Sequence, residues 1–241
     1  MALSISGSQP LSGLMAASTA EATPAGIDLY WIPLGAGGSG FVRLNGRIYE
    51  AIKARIERRR PLALYHTALQ VHVPEGRFVV ETMWPSPDSN TASRGVVLEG
   101  AVGSRLFARL LTFRYEVRRW HDGVLPDADE AVGGPQRVSD DADQARRLLE
   151  AAGSVPALIW GRDQLATGEM WNSNSVISWL LVQSGVSMEA IHVPHGGRAP
   201  GWAAGIAIAN GSHQATDATF TGAGSNAEIL SQRPGDESYR P

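Results

Sequence analysis

Between Trp171 and Leu181 the sequence runs Trp-Asn-Ser-Asn-Ser-Val-Ile-Ser-Trp-Leu-Leu. A cluster of cap-forming polar residues leads straight into an apolar helical pattern. Such a helix has to bury its apolar side against another layer. On a 3.6-residue wheel Ser173, Val176, Ile177, Leu180 and Leu181 fall on one side, and Ser175 lies roughly opposite. Ser173 is therefore expected to face the interior at the first helical turn, and Ser175 to face away. Far upstream, Leu64-Tyr65-His66-Thr67-Ala68-Leu69-Gln70-Val71 reads as a strand carrying a histidine.

A hydroxyl at a helix N-terminus and an imidazole on a strand are the parts of a nucleophile–base pair. Backbone N–H groups at Ser173 and Asn174 would help hold an oxyanion there. Gln70, Glu81 or Asn172 could orient the ring of His66. Gln70, Asn172, Asn174, Trp171 and Tyr65 are the candidate binding residues around the pair, and Trp84 is a further aromatic for a cleft. Both members have a plainer reading. Asn and Ser are preferred N-caps, and a strand histidine can be a hydrogen-bonded structural group.

Other motifs carry less. His66 and His72 share a strand face, but no third or fourth metal ligand has recognisable spacing, so no metal is expected. His192 and His195 sit in a Pro/Gly-rich loop and are expected to be exposed. Gly35-Ala36-Gly37-Gly38-Ser39-Gly40 formally fits G-x-G-x-x-G. The residues after it look extended instead of opening a helix, so no dinucleotide cofactor is expected. Arg58-Arg59-Arg60 suits a solvated helix C-terminus.

The chain has 241 residues, of which 43% are hydrophobic and 19% charged, with a formal net charge of -3. That supports one sizeable core and argues against nucleic acid as a partner. The absence of cysteine excludes disulfides, thiolate metal sites and cysteine catalysis. No apolar run is long enough to span a bilayer, and the N-terminus is a poor secretory signal, so a cytoplasmic protein is expected.

Residues 1–25 read as a flexible arm, 26–209 as a single folded domain, and 210–241 as a disordered tail. Within the domain the pattern predicts a strand over 28–34, a helix over 46–58 and a hairpin of 62–73 with 76–82. A strand over 113–120, a helix over 141–152, the Ser173 helix ending at Gly185, and a last strand over 202–209 follow. The order is mixed without βαβ alternation, which points to an α+β fold.

Three segments together resemble the circularly permuted papain-like proteins of the NlpC/P60 type, including the YiiX-like and lecithin:retinol acyltransferase-like branches. Tyr65-His66-Thr67-Ala68-Leu69-Gln70-Val71 resembles their histidine strand. Phe78-Val79-Val80-Glu81 resembles the strand after it, and Asn172-Ser173-Asn174-Ser175-Val176 the start of their nucleophile helix. The chain also resembles a set of actinobacterial proteins. The resemblance implies a small antiparallel sheet packed on a nucleophile-bearing helix, and hydrolysis or transfer of acyl groups at amide, peptide or ester bonds. It makes Ser173 the nucleophile, His66 the base and Glu81 an acidic partner, with a small-molecule or peptide acyl substrate. The family nucleophile is cysteine, and serine cannot be pre-ionised as a thiolate is; it needs an aligned base and a ready oxyanion hole. Three readings stay open: a serine acyl-transfer enzyme, an inactive relative that keeps a binding cleft, and an engineered replacement of cysteine.

Overall fold

A computed structural model describes residues 24–36, 50–51, 53–85 and 94–211. The expected arm and tail lie outside these residues, apart from 24–25 and 210–211, as do residues 37–40 of the glycine-rich stretch. The fold mixes helices with an antiparallel sheet. Its strands are β1 (Gly26–Pro33), β2 (Ala63–Val73), β3 (Gly76–Met83), β4 (Val96–Ala101), β5 (Arg114–His121) and β6 (Gln136–Ser139), in the spatial order β4-β5-β3-β2-β1-β6. A two-residue strand β7 (Gly197–Arg198) pairs in parallel with the start of β2. Helix α1 is described over 50–51 and 53–56, α2 spans Ala142–Ala151, α3 spans Ser173–Gln183, and α4 is described over 202–211.

The β2–β3 hairpin turns at Pro74-Glu75, as the sequence predicts, and Gly76 opens β3 at a φ of 139° that disfavours other residues. Strand alternation then sorts β2 into two sets. Tyr65, Thr67, Leu69 and Val71 lie opposite Pro33, Trp31, Leu29 and Ile27 of β1; His66, Ala68, Gln70 and His72 lie opposite Ile32, Tyr30, Asp28 and Gly26. The first set belongs to the main core. There Leu69 and Val71 join Val80, Tyr115 and Val117 under Val176, Ile177, Leu180 and Leu181 of α3. The second set faces a smaller cluster of Tyr30, Ile32, Ala68, Val79 and Leu125.

Helix α2 starts where Asp141 caps it, its carboxylate accepting from Asp143 N at 2.7 Å. Helix α3 stops at Gly185, whose φ of 81° fits a left-handed C′ position. One expectation is overturned outright: residues 202–209 are helical, not a strand. The segment is rich in Ala and Gly, and an apolar run of this length reads equally well at either period. Its packing decides the matter. A Cβ on Gly205 would strike the carbonyl of Ser175 and the hydroxyl of Ser178, so α4 lies against α3 at backbone distance. Trp202 meets Trp31 of β1 at a centroid distance of 4.9 Å.

The wheel for α3 is also corrected. Ser173 through Leu181 are all buried, Ser175 among them, because β2 covers one side and α4 another. Leu180 sits at the centre of this packing, fully buried. Leu180→Ala is expected to lower the unfolding free energy by about 3 kcal/mol. Urea titration checks this as a lower midpoint at unchanged slope.

Candidate functional site

The start of α3 is built by its polar residues. Asn172 is the N-cap: its Oδ1 accepts from Asn174 N at 2.9 Å and Ser175 N at 3.3 Å. Ser175 returns the contact, its Oγ accepting from Asn172 N at 3.1 Å and donating to Gly201 O at 2.8 Å. Asn174 turns inward. Its Nδ2 donates to Tyr65 O at 3.0 Å and Pro200 O at 2.9 Å, and its Oδ1 accepts from Thr67 Oγ1 at 3.0 Å. These three residues are structural connectors. Asn174 N, expected in an oxyanion hole, is already taken by the cap.

Thr67 faces α3, so His66 beside it on the strand points to the other side of the sheet. The expected Ser173–His66 pair is therefore not formed, and no hydrogen bond joins them among the described residues. Trp171 is no cleft-lining aromatic. It is 1% exposed, and its Nε1 donates to Tyr115 Oη at 3.3 Å within the core. Tyr65 is buried against Gly197, where any Cβ would collide with its ring. Asn172, Ser173, Asn174, Trp171 and Tyr65 thus belong to the helix-covered side.

The opposite face holds the remaining predicted residues, His66, Gln70 and Glu81, together with groups that the sequence reading missed. Strand β5 is paired with β3 so that Arg118 lies across from Glu81. Glu116 is fully buried and accepts from Arg94 Nη2 at 2.6 Å and from both Arg118 Nε and Nη2 at 3.0 Å. Arg118 Nη1 stands 3.9 Å from Glu81 Oε1, an ion pair without a hydrogen bond. Residues 125–131 cover part of this face through Leu125, Ala128 and Ala131, and bring Asp127 toward Glu81. The signal was available: Arg114, Glu116 and Arg118 recur at period two, which puts three charges on one strand face.

Among the described residues neither Gln70 nor Glu81 forms a hydrogen bond with the His66 ring. Gln70 Oε1 accepts from Tyr30 Oη at 2.7 Å instead. His72 pairs with Asp28 at 3.4 Å, and Asp28 also accepts from Arg137 Nε at 2.7 Å. No group of three or more His, Cys, Asp or Glu could hold a metal among the described residues. His192 and His195 are exposed. A separate open cleft of about 230 Å³ is lined by Lys53, Asp163, Glu169 and Arg198 among others, and by none of the predicted residues. None of the helices among the described residues is long and apolar enough to cross a membrane. No family model, curated protein or solved structure matches the chain.

Burial acts oppositely on the two titratable groups of this face. Desolvation pushes the Glu81 carboxyl up to about 7; Arg118 opposes the rise and Asp127 adds to it. Desolvation pulls the His66 imidazole down to about 4, so it is neutral at pH 7. Between pH 4.5 and 7 the folded chain keeps a proton on Glu81 that the unfolded chain has lost, so stability falls as pH rises. Between pH 6.5 and 4 the unfolded chain protonates His66 first, so stability falls as pH drops. The two limbs largely cancel where they overlap. Glu81→Gln is expected to expose the acid-side loss alone, and His66→Gln the alkaline-side loss alone, each on the order of 3 kcal/mol. Denaturant unfolding at a series of pH values separates them.

Proposed function

We propose that the chain works as a binding module for a small polar ligand, seated on the sheet face that carries Glu81, His66 and Arg118. One observation carries this reading. Glu81 is buried, its side chain 6% exposed, and its carboxyl accepts no hydrogen bond from the described residues, keeping only a narrow contact with solvent. A buried carboxyl without hydrogen bonds is costly unless something completes it. Arg118 does not, because its closest donors are spent on Glu116. A ligand that donates to Glu81 and meets the neutral ring of His66 would satisfy both. With its pKa near 7, Glu81 could also pass a proton to or from that ligand.

This is the inactive-relative reading of the papain-like resemblance, and the permuted papain-like arrangement is our proposal for the fold. The adjacency of the His66 and Glu81 strands, with α3 packed on β2, supports it. A second reading, acyl transfer through Ser173, is favoured by one specific contact. Asn174 is bonded to Tyr65 and Thr67, the two neighbours of His66, so the motifs lie close although the side chains diverge.

A panel of small primary amides and amines tests the first reading by amide chemical-shift mapping. Binders are expected to move the signals of Tyr30, Gln70 and Arg118 in the wild type and to lose their effect in Glu81→Leu. Binders that move only residues around Lys53 and Glu169 would shift the assignment to the other cleft. A fluorophosphonate probe that labels the wild type and not Ser173→Ala would instead establish the second reading.

A further inference from the structure

The segment between β4 and β5 does not fold like the rest of the chain. Two consecutive 3₁₀ turns, Arg105–Arg109 and Leu111–Phe113, bury no residue at all. Leu106 is 78% exposed, and Phe107, Leu110, Leu111 and Phe113 are exposed as well. Five large apolar side chains exposed within eight positions are a local density of the kind that marks an interaction site. The segment is nevertheless held in shape. Ser104 Oγ accepts from Leu106 N at 3.3 Å, Leu110 N donates to Phe107 O at 3.0 Å, and Phe113 N to Leu110 O at 2.9 Å. Arg114 Nε donates to Ala108 O at 2.5 Å and closes the base. The Phe107 and Phe113 rings meet at 5.4 Å.

Charge identifies the occupant. Arg105 and Arg109 alternate with the apolar residues, both are exposed, and neither forms an ion pair among the described residues. No acidic residue occurs between Glu99 and Glu116, in a chain whose net charge is -3. Glu99 is itself occupied by Arg114 at 3.3 Å. The rim adds an amphipathic aromatic: Trp84 is half exposed and its ring lies 6.0 Å from that of Trp160, tilted by 47°, and the Gly103 N to Trp160 O bond of 2.9 Å ties Trp160 to the start of the segment. Arg162, also exposed, bonds Gly103 O at 2.9 Å. A second copy of the chain fits poorly, because self-pairing across this patch would bring Arg105 and Arg109 against like charges. An interface of apolar tails beneath anionic headgroups matches both features at once.

We propose that residues 105–113 form a docking loop for an anionic lipid surface, into which the apolar side chains insert while Arg105 and Arg109 hold the headgroups. This goes beyond the ligand reading of the sheet face and does not rest on it. Co-sedimentation of the full chain with phosphatidylcholine vesicles and with mixed phosphatidylcholine–phosphatidylserine vesicles tests it. Binding is expected to the mixed vesicles only, and to fall as salt is raised. Leu110→Ser with Leu111→Ser, and separately Arg105→Glu with Arg109→Glu, are each expected to reduce partitioning by about ten-fold or more. Both pairs are solvent-facing, so unchanged circular dichroism and thermal midpoints are expected alongside. Failure of the folded wild type to bind either vesicle overturns the proposal. A dimer in sedimentation equilibrium that Phe107→Ser dissociates overturns it too, by assigning the patch to self-association.

Discussion

The carboxamide of Asn174 fixes the rotation of α3 on the sheet and, through Thr67, the side that His66 faces. It is buried, it donates to two backbone carbonyls and it accepts from a third residue. One of its partners is a strand backbone, one is a strand side chain, and one is the loop before α4. A helix held this way cannot rotate about its axis without leaving a buried amide unpaired, which costs about 1–3 kcal/mol for each lost group. Apolar packing alone would not set that rotation; the side of α3 under α4 adds its own hydrogen bonds, Ser175 Oγ to Gly201 O and Ser178 Oγ to Trp202 O, both 2.8 Å. Once Thr67 is committed to α3, alternation along β2 commits His66 to the other face.

The two faces then differ in what burial does. On the helix side it removes hydrocarbon from water, and the polar groups at the helix start are spent on one another. On the other side it surrounds ionisable groups with too few partners for all of them. Glu116 accepts from both Arg94 and Arg118, and among the described residues Glu81 is left with a charge at 3.9 Å and no hydrogen-bond donor. The same desolvation lifts a carboxyl and depresses an imidazole, since it penalises whichever form is charged. Both groups are therefore shifted toward their neutral forms on one face of the sheet, which suits a site that exchanges hydrogen bonds with a polar ligand.

Much of this was readable from residue order, and the failures have physical causes. The β2–β3 hairpin was legible because alternation and the Pro74-Glu75-Gly76 turn agree. Helices α2 and α3 were legible because Asp141 and Asn172 are strong caps. The phase of α3 was misread because a wheel assumes one wet side, and α4 removes it. That second cover was invisible while residues 202–209 read as a strand; a helix lying so close needs Gly205, and a lone glycine in an apolar run does not announce its neighbour. The site failed for a related reason. Spacing tells that His66 and Thr67 face opposite ways, but not which of them faces a helix 107 residues later. The charged face of β5 was present in the sequence as Arg114, Glu116 and Arg118, and its significance emerged only with Glu81 opposite.

Strand β5 joins the two proposed surfaces. Tyr115 and Val117 enter the core from it, Glu116 and Arg118 line the polar face, and the exposed turns feed directly into its first residue. Arg114 sits at that junction, bonded to Ala108 O within the loop and to Glu99 of the neighbouring strand. The loop is thus an extension of sheet structure and has little freedom to fold back over its own apolar residues. Five apolar side chains stay exposed on so constrained a base, Phe107 and Phe113 meeting only each other's rings among the described aromatic contacts. That is the reason to look outside the chain for what covers them, and a lipid surface reached through this loop would hold the Glu81 face at a fixed orientation, because both are carried by the same strand.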